Sequence, residues 1–170
     1  IRDSTYNTAV GYIAGTAITT GVQNTLVGYG SGDSLIDADY NTALGTNALA
    51  GDTYGSKSVA IGREALVTQN FTTATDALNT AVGYAAGQSV TTGTNNTLIG
   101  GLAGDAITTA AGNVSIGKSA LTTETGASGS VAIGKEALRD NNVGSGNAYN
   151  TAVGFESGKL LTTGIRNTLV

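Results

Sequence analysis

The nine residues NTAVGYIAG, Asn7 to Gly15, return as NTLVGYGSG from Asn24, as NTAVGYAAG from Asn79 and as NTAVGFESG from Asn150. An ordinary globular core asks for a different residue at nearly every buried position, so repetition this close specifies an architecture before it specifies a chemistry. With the opening Asn or Ser as position one, units begin at Asn7, Asn24, Asn41, Ser58, Asn79, Asn96, Asn113, Ser130, Asn150 and Asn167. The spacings are 17, 17, 17, 21, 17, 17, 17, 20 and 17. A fixed period in this range marks a solenoid, in which each unit buries its apolar surface only by stacking on its neighbours.

A longer period lies on top of the short one, because the extra residues follow every fourth unit. The chain reads as one repeat segment over 1–170, with four-unit blocks at 7–78 and 79–149 and an incomplete block at 150–170. In the first two units of a block, position nine is Gly (Gly15, Gly32, Gly87, Gly104, Gly158) and position twelve is aliphatic (Ile18, Leu35, Val90, Ile107, Leu161). In the third and fourth units position nine is Leu (Leu49, Leu66, Leu121, Leu138) and position twelve is polar (Asp52, Gln69, Glu124, Asn141). Each coil thus receives one extra aliphatic side chain from one of two places.

Position four is branched and aliphatic in every unit: Val10, Val27, Leu44, Ile61, Val82, Ile99, Ile116, Ile133, Val153 and Val170. Position two is Thr or Val, and β-branched residues on alternate positions predict a short strand with positions two and four on one face. Gly at position five suits either a positive φ at a corner or a backbone approach too close for a Cβ. The polar second half of each unit, such as TTG at Thr19 to Gly21, predicts a second short strand or a loose loop. The residues that lengthen the fourth and eighth units, within Val67 to Leu78 and Arg139 to Tyr149, are expected to bulge as loops on one side of the rod.

Composition agrees with strands throughout. Pro is absent, as suits a backbone whose donors are used in a continuous ladder, and the apolar 40% is nearly all Ala, Val, Leu and Ile. The net charge of -4, with basic residues scattered singly, argues against nucleic-acid binding. No run of 18 apolar residues suggests a membrane span. The chain starts and stops within the repeat pattern, so further sequence is expected before Ile1 and after Val170.

Position three lies on the face opposite position four, yet it is apolar as well: Ala9, Leu26, Ala43, Ala60, Ala81, Leu98, Ala132, Ala152 and Leu169, with Ser115 the exception. A strand apolar on both faces is covered on both. A second copy related by an axis parallel to the rod covers such a ladder evenly, so a parallel homo-oligomer is expected, with Leu26, Leu98 and Leu169 turned towards neighbouring chains. The alternative is a flattened coil that takes up both faces itself through local twist.

The units NTAVGY, NTLVGY and NTALG at 17-residue spacing resemble repeats of bacteriophage tail-fibre proteins and of bacterial surface proteins that end in a fibre-type chaperone domain. SVAIGREAL from Ser58 and SVAIGKEAL from Ser130 are also similar to head repeats of trimeric autotransporter adhesins, which form left-handed parallel β-rolls as homotrimers. The head repeats of those adhesins are typically shorter than 17 residues. The resemblance implies an all-β parallel β-solenoid, or β-roll, of about ten coils assembled as a homotrimer. It implies a structural segment of a fibre that serves host attachment, located in a virion tail fibre or at a bacterial surface, with the receptor bound by other parts of the fibre.

The chain has no His and no Cys, so Ser-His-Asp and Cys-His catalysis and the usual zinc ligand sets cannot be assembled. Asp33, Asp37 and Asp39 lack the spacing of a calcium loop, and GYGSG at Gly28 to Gly32 lacks both the third Gly and a following helix of a phosphate loop. No catalytic, cofactor or metal residue is expected, and no enzymatic activity. Two binding readings stay open for a monomeric solenoid. Thr pairs such as Thr19-Thr20 and Thr91-Thr92 suggest ice binding but supply one column, not two, and Tyr12, Tyr29, Tyr84 and Phe155 at position six either stack on sugar rings or shield the coil edge.

Overall fold

The computed structural model describes residues 5–170 and contains no helix among them. Its strands are β1 (Thr8–Val10), β2 (Thr25–Val27), β3 (Thr42–Leu44), β4 (Gly55–Ser56), β5 (Val59–Ile61), β6 (Thr75–Asp76), β7 (Thr80–Val82), β8 (Thr97–Ile99), β9 (Val114–Ile116), β10 (Ala127–Ser128), β11 (Val131–Ile133), β12 (Gly146–Asn147), β13 (Thr151–Val153) and β14 (Thr168–Leu169). Ten of them form one parallel sheet in the order β1-β2-β3-β5-β7-β8-β9-β11-β13-β14. Like positions pair throughout, as Thr8 with Thr25, Ala9 with Leu26 and Val10 with Val27. Each 17-residue unit is therefore one coil of a parallel β-solenoid. At about 4.8 Å per strand the nine steps from Asn7 to Asn167 span roughly 43 Å.

The side-chain facing is the reverse of the expected one. Position three points into the coil: Leu26 and Leu98 are completely buried, with Ala43, Ala60, Ala81, Ala132 and Ala152. Position four points out, with Val10 58%, Leu44 47% and Ile99 37% exposed and none of the column buried. Leu26, Leu98 and Leu169 thus belong to the core or its edge, not to a contact with another chain. The physical reason is width. A coil of this length is narrow, so its inner strand positions take mostly Ala, while the branched residues that favour strands occupy the roomier outer face.

The swap between positions nine and twelve is a packing rule. A Cβ added at Gly32 would lie 2.8 Å from both Leu26 Cδ2 and Leu35 Cδ1, and one at Gly104 would lie 2.7 Å from Leu98 Cδ2 and 2.9 Å from Ile107 Cδ1. The position-nine side chain and the position-twelve side chain therefore compete for one space. Where position nine is Leu it holds a left-handed backbone, with φ 54° at Leu49, 51° at Leu66 and 49° at Leu121 and Leu138. That conformation costs about 1–2 kcal/mol. Full burial of the side chain returns about 1.5–3 kcal/mol, so the arrangement is tolerated.

Both explanations offered for Gly at position five hold at once. Gly28 has φ 136°, and a Cβ on it would sit 2.5 Å from the carbonyl oxygen of Gly45 one coil on. The polar half of the coil forms no regular strand, yet it is not loose. Thr19 N donates to Ile36 O at 3.0 Å and Thr91 N to Thr108 O at 2.9 Å, so the ladder between coils continues through the turns.

Position one supplies an internal spine. Asn24 Nδ2 donates to the Ala38 carbonyl near the end of its own coil at 2.7 Å, while its Oδ1 accepts from Asn41 N in the next coil at 2.9 Å. Asn41, Asn79, Asn96, Asn113 and Asn150 repeat the pattern. Ser58 and Ser130 interrupt it at the fourth unit of each block, where the chain also lengthens.

The insertions leave the coil at the same register, after Gln69 and Asn141. Residues 72–74 and 144–145 are exposed, as expected of bulging loops. Their flanks depart from that expectation: Thr75–Asp76 and Gly146–Asn147 rejoin the stack as β6 and β12, which pair with β4 and β10. Phe71 folds inward to 5% exposure and closes the corner beneath the first loop.

Candidate interaction face

The outer surface of the ten-stranded sheet carries two parallel columns. Position two gives Thr in seven of ten coils and Val59, Val114 and Val131 in the rest. Position four gives only Val, Ile and Leu. Neighbours within a column stand one strand spacing apart, about 4.8 Å, and the columns themselves are separated by two residues of strand, about 6.6 Å. The result is a straight apolar strip bordered by hydroxyls and running from Val10 to Val153, with Leu44, Ile99, Ile133 and Val153 all more than a third exposed. An extended apolar patch of this kind is the sort of surface that interactions commonly cover.

The aromatics at position six flank this strip at the corner after the glycine. Tyr12 and Tyr29 stack on each other, with ring centroids 5.4 Å apart. Arg63 lies 5.6 Å above the Tyr84 ring and Lys135 Nζ 5.3 Å from the Phe155 centroid. Each ring thus shares one face with the residue one coil away, which favours edge shielding over sugar stacking.

Asp37 and Asp39, two of the acidic residues singled out in the sequence, are spent on holding coils together. Asp39 Oδ1 accepts from Val22 N at 2.8 Å and Asp37 Oδ1 from Thr20 Oγ1 at 2.7 Å. Among the described residues no three acidic side chains converge on a cation site. Gly28, Gly30 and Gly32 form a solenoid corner. The hydroxyls of Thr19, Thr91 and Thr108 each donate to a carbonyl one coil on, and Thr122-Thr123 falls at positions ten and eleven, outside that column.

The Asn spine and the buried carboxylates of Asp52 and Glu124 form a network that motif spacing in the sequence does not reveal. The available signal was an Asn placed 14 residues before a small residue, Gly or Ala, in coil after coil. Asp52 Oδ1 accepts from the N–H of Thr53, Gly55 and Phe71 at 2.9, 3.0 and 3.1 Å, and Glu124 is held in a similar backbone cradle. These groups face inward and offer nothing to a ligand at the surface.

Charges gather into a network across coils eight and nine. Lys159 Nζ lies 2.7 Å from Glu136 and 2.9 Å from Glu156, and Arg139 lies 3.1 Å from Glu136 and 2.7 Å from Asp140. The hydrogen bond from Lys159 holds the Glu136 carboxyl below its ordinary value, and that from Arg139 does the same for Asp140. Because the folded-state values are lowered, the network contributes stability above the ordinary carboxylate range and loses it as pH falls through the lowered folded values. Asp105 acts in the opposite sense, since burial raises its carboxyl and acid relieves that cost. Thermal unfolding followed by circular dichroism should show a lower midpoint at about pH 3 than at pH 7. Lys159→Gln should narrow the gap, and an unchanged gap would remove the network as its cause.

Comparison with protein-family models, with curated proteins and with solved structures returns no match.

Proposed function

We propose that this chain is a structural segment of a homotrimeric β-solenoid fibre that serves attachment to a host surface, in a phage tail fibre or, alternatively, in a bacterial surface adhesin. The observation that carries the reading is the position-four column, which leaves a continuous apolar strip on one face of every coil. A single narrow column with Thr beside it suits three rods converging on a common axis, each placing the column at the centre and its flanking columns against a neighbour. Burying it covers the exposed apolar area and stiffens the rod. Three parallel chains also present three copies of whatever stands at the tip, which raises avidity for a host receptor without any new contact. No side chain of this segment is assigned a catalytic role, and receptor contact is left to other parts of the fibre.

A second reading rests on the same face. The Thr column at position two, broken at Val59, Val114 and Val131, runs beside an unbroken aliphatic column, a regular face of the kind a monomeric ice-binding solenoid would expose. Light scattering on the untagged chain separates the two. The fibre reading expects about three times the 16.8 kDa chain mass. A stable monomer that arrests ice growth would transfer the face to the second reading.

A further inference from the structure

Among the described residues one buried side-chain polar atom lacks a partner, the hydroxyl of Ser130. The preceding block shows what normally stands beside it. Its counterpart Ser58 accepts from Gln69 Nε2 at 3.2 Å, and the same amide donates to Asp52 Oδ2 at 2.6 Å. Gln69 Oε1 in turn accepts from Asn79 Nδ2 at 2.8 Å, so one amide group joins three coils.

In the second block the two supporting side chains exchange lengths. Glu124 stands where Asp52 stood and Asn141 where Gln69 stood, all four completely buried, so the pair keeps its methylene count but redistributes it. Glu124 Oε1 accepts from the N–H of Thr125, Gly126 and Ala127 at 3.0, 3.2 and 2.9 Å, and Oε2 from Val143 N at 3.0 Å. Asn141 still accepts from Asn150 Nδ2 at 3.3 Å, but its own Nδ2 donates to the Thr162 carbonyl at 2.8 Å. The shorter amide does not reach Ser130.

We propose that a single buried water molecule binds in the second block at the place that the Gln69 amide nitrogen holds in the first, bridging Ser130 Oγ and Glu124 Oε2. The chemistry selects water over a cation. Asp52 receives four N–H donors, from Thr53, Gly55, Phe71 and the Gln69 amide, and Glu124 also receives four, from Thr125, Gly126, Ala127 and Val143. The charge of the carboxylate is thus met equally in both blocks, and what Ser130 lacks is a neutral hydrogen-bonding group of the size of one amide nitrogen. Water fits such a place where two or more buried polar groups converge. The fourth coil of the second block is then spanned by solvent at the point where the first is spanned by protein.

A crystal structure of the chain at about 1.5 Å would test this, with an isolated density peak expected about 2.7–3.2 Å from Ser130 Oγ and from a Glu124 oxygen, and none beside Ser58. The double variant Glu124→Asp, Asn141→Gln recreates the first block and should lose the peak. Absence of the peak in the unaltered chain overturns the proposal, as does its persistence in the double variant. An anomalous signal at that place after soaking in rubidium chloride would assign a cation and overturn it equally. Should the double variant fail to fold, the density of the unaltered chain decides.

Discussion

In the homotrimer proposed above, replacing Ile116 by Asp is expected to leave single chains while the solenoid itself survives. Ile116 lies in the outward column, half-buried by its own neighbours and with no place in the core. Burial of an aliphatic side chain is worth about 1.5–3 kcal/mol. The proposed threefold symmetry would count that loss three times, removing about 6 kcal/mol from the assembly and raising its dissociation constant roughly 10⁴-fold. In that arrangement a carboxylate facing two others at the axis would add repulsion in the same direction. Tyr84→Asp, at the edge of the strip, should shift assembly far less. Sedimentation and far-ultraviolet circular dichroism on both variants make the comparison. An Ile116→Asp variant that keeps the mass and stability of the parent would remove position four from any interface.

Leu98→Ala should have the complementary effect, with a large loss of stability and no change of mass at concentrations where the chain is folded. Leu98 is completely buried, and its methyl groups fill the space beside Gly87 and Gly104. No side chain at either glycine can move in to replace it. Truncation of a leucine in such a site costs about 2.7–5 kcal/mol. Leu98→Asp would bury a charge in the same place and should prevent coil six from forming. Denaturant titration of Leu98→Ala gives the number directly. A cost under about 1 kcal/mol accompanied by dissociation would mean that position three faces a partner after all.

These two variants also locate the limit of the sequence. The 17-residue coil, the strand at positions two to four and the parallel stacking are legible in it, because a period is visible without knowing which way any side chain points. The inward face is not, because strand alternation divides positions into two sets without saying which set is buried, and here both sets are apolar. A discriminating signal was nevertheless present in the residue sizes. Leu26 and Leu98 stand in coils whose position nine is Gly, and no coil with Leu at nine carries more than Ala or Ser at three, whereas position four keeps its branched residue whatever stands at nine. A size that answers to another position belongs to shared interior space. The spine escaped notice for a related reason: Asn at the start of a strand reads as a turn residue until a carbonyl 14 residues later is seen to receive its amide.

The packing rule between positions three, nine and twelve has a consequence for how such a gene can change. Leu66 in the fourth coil lies over Gly87 in the fifth, and Leu138 in the eighth over Gly158 in the ninth, so the end of one block is shaped to receive the start of the next. Recombination that duplicates or deletes a whole block joins surfaces that already fit. Loss of a single coil breaks that fit: without the sixth, for example, the space beside Gly87 loses the Leu98 methyl that fills it, and the junction is left hollow. Lineages carrying this architecture should therefore differ in reach by steps of four coils, about 19 Å at the strand spacing, so that the length of the rod is inherited in discrete increments.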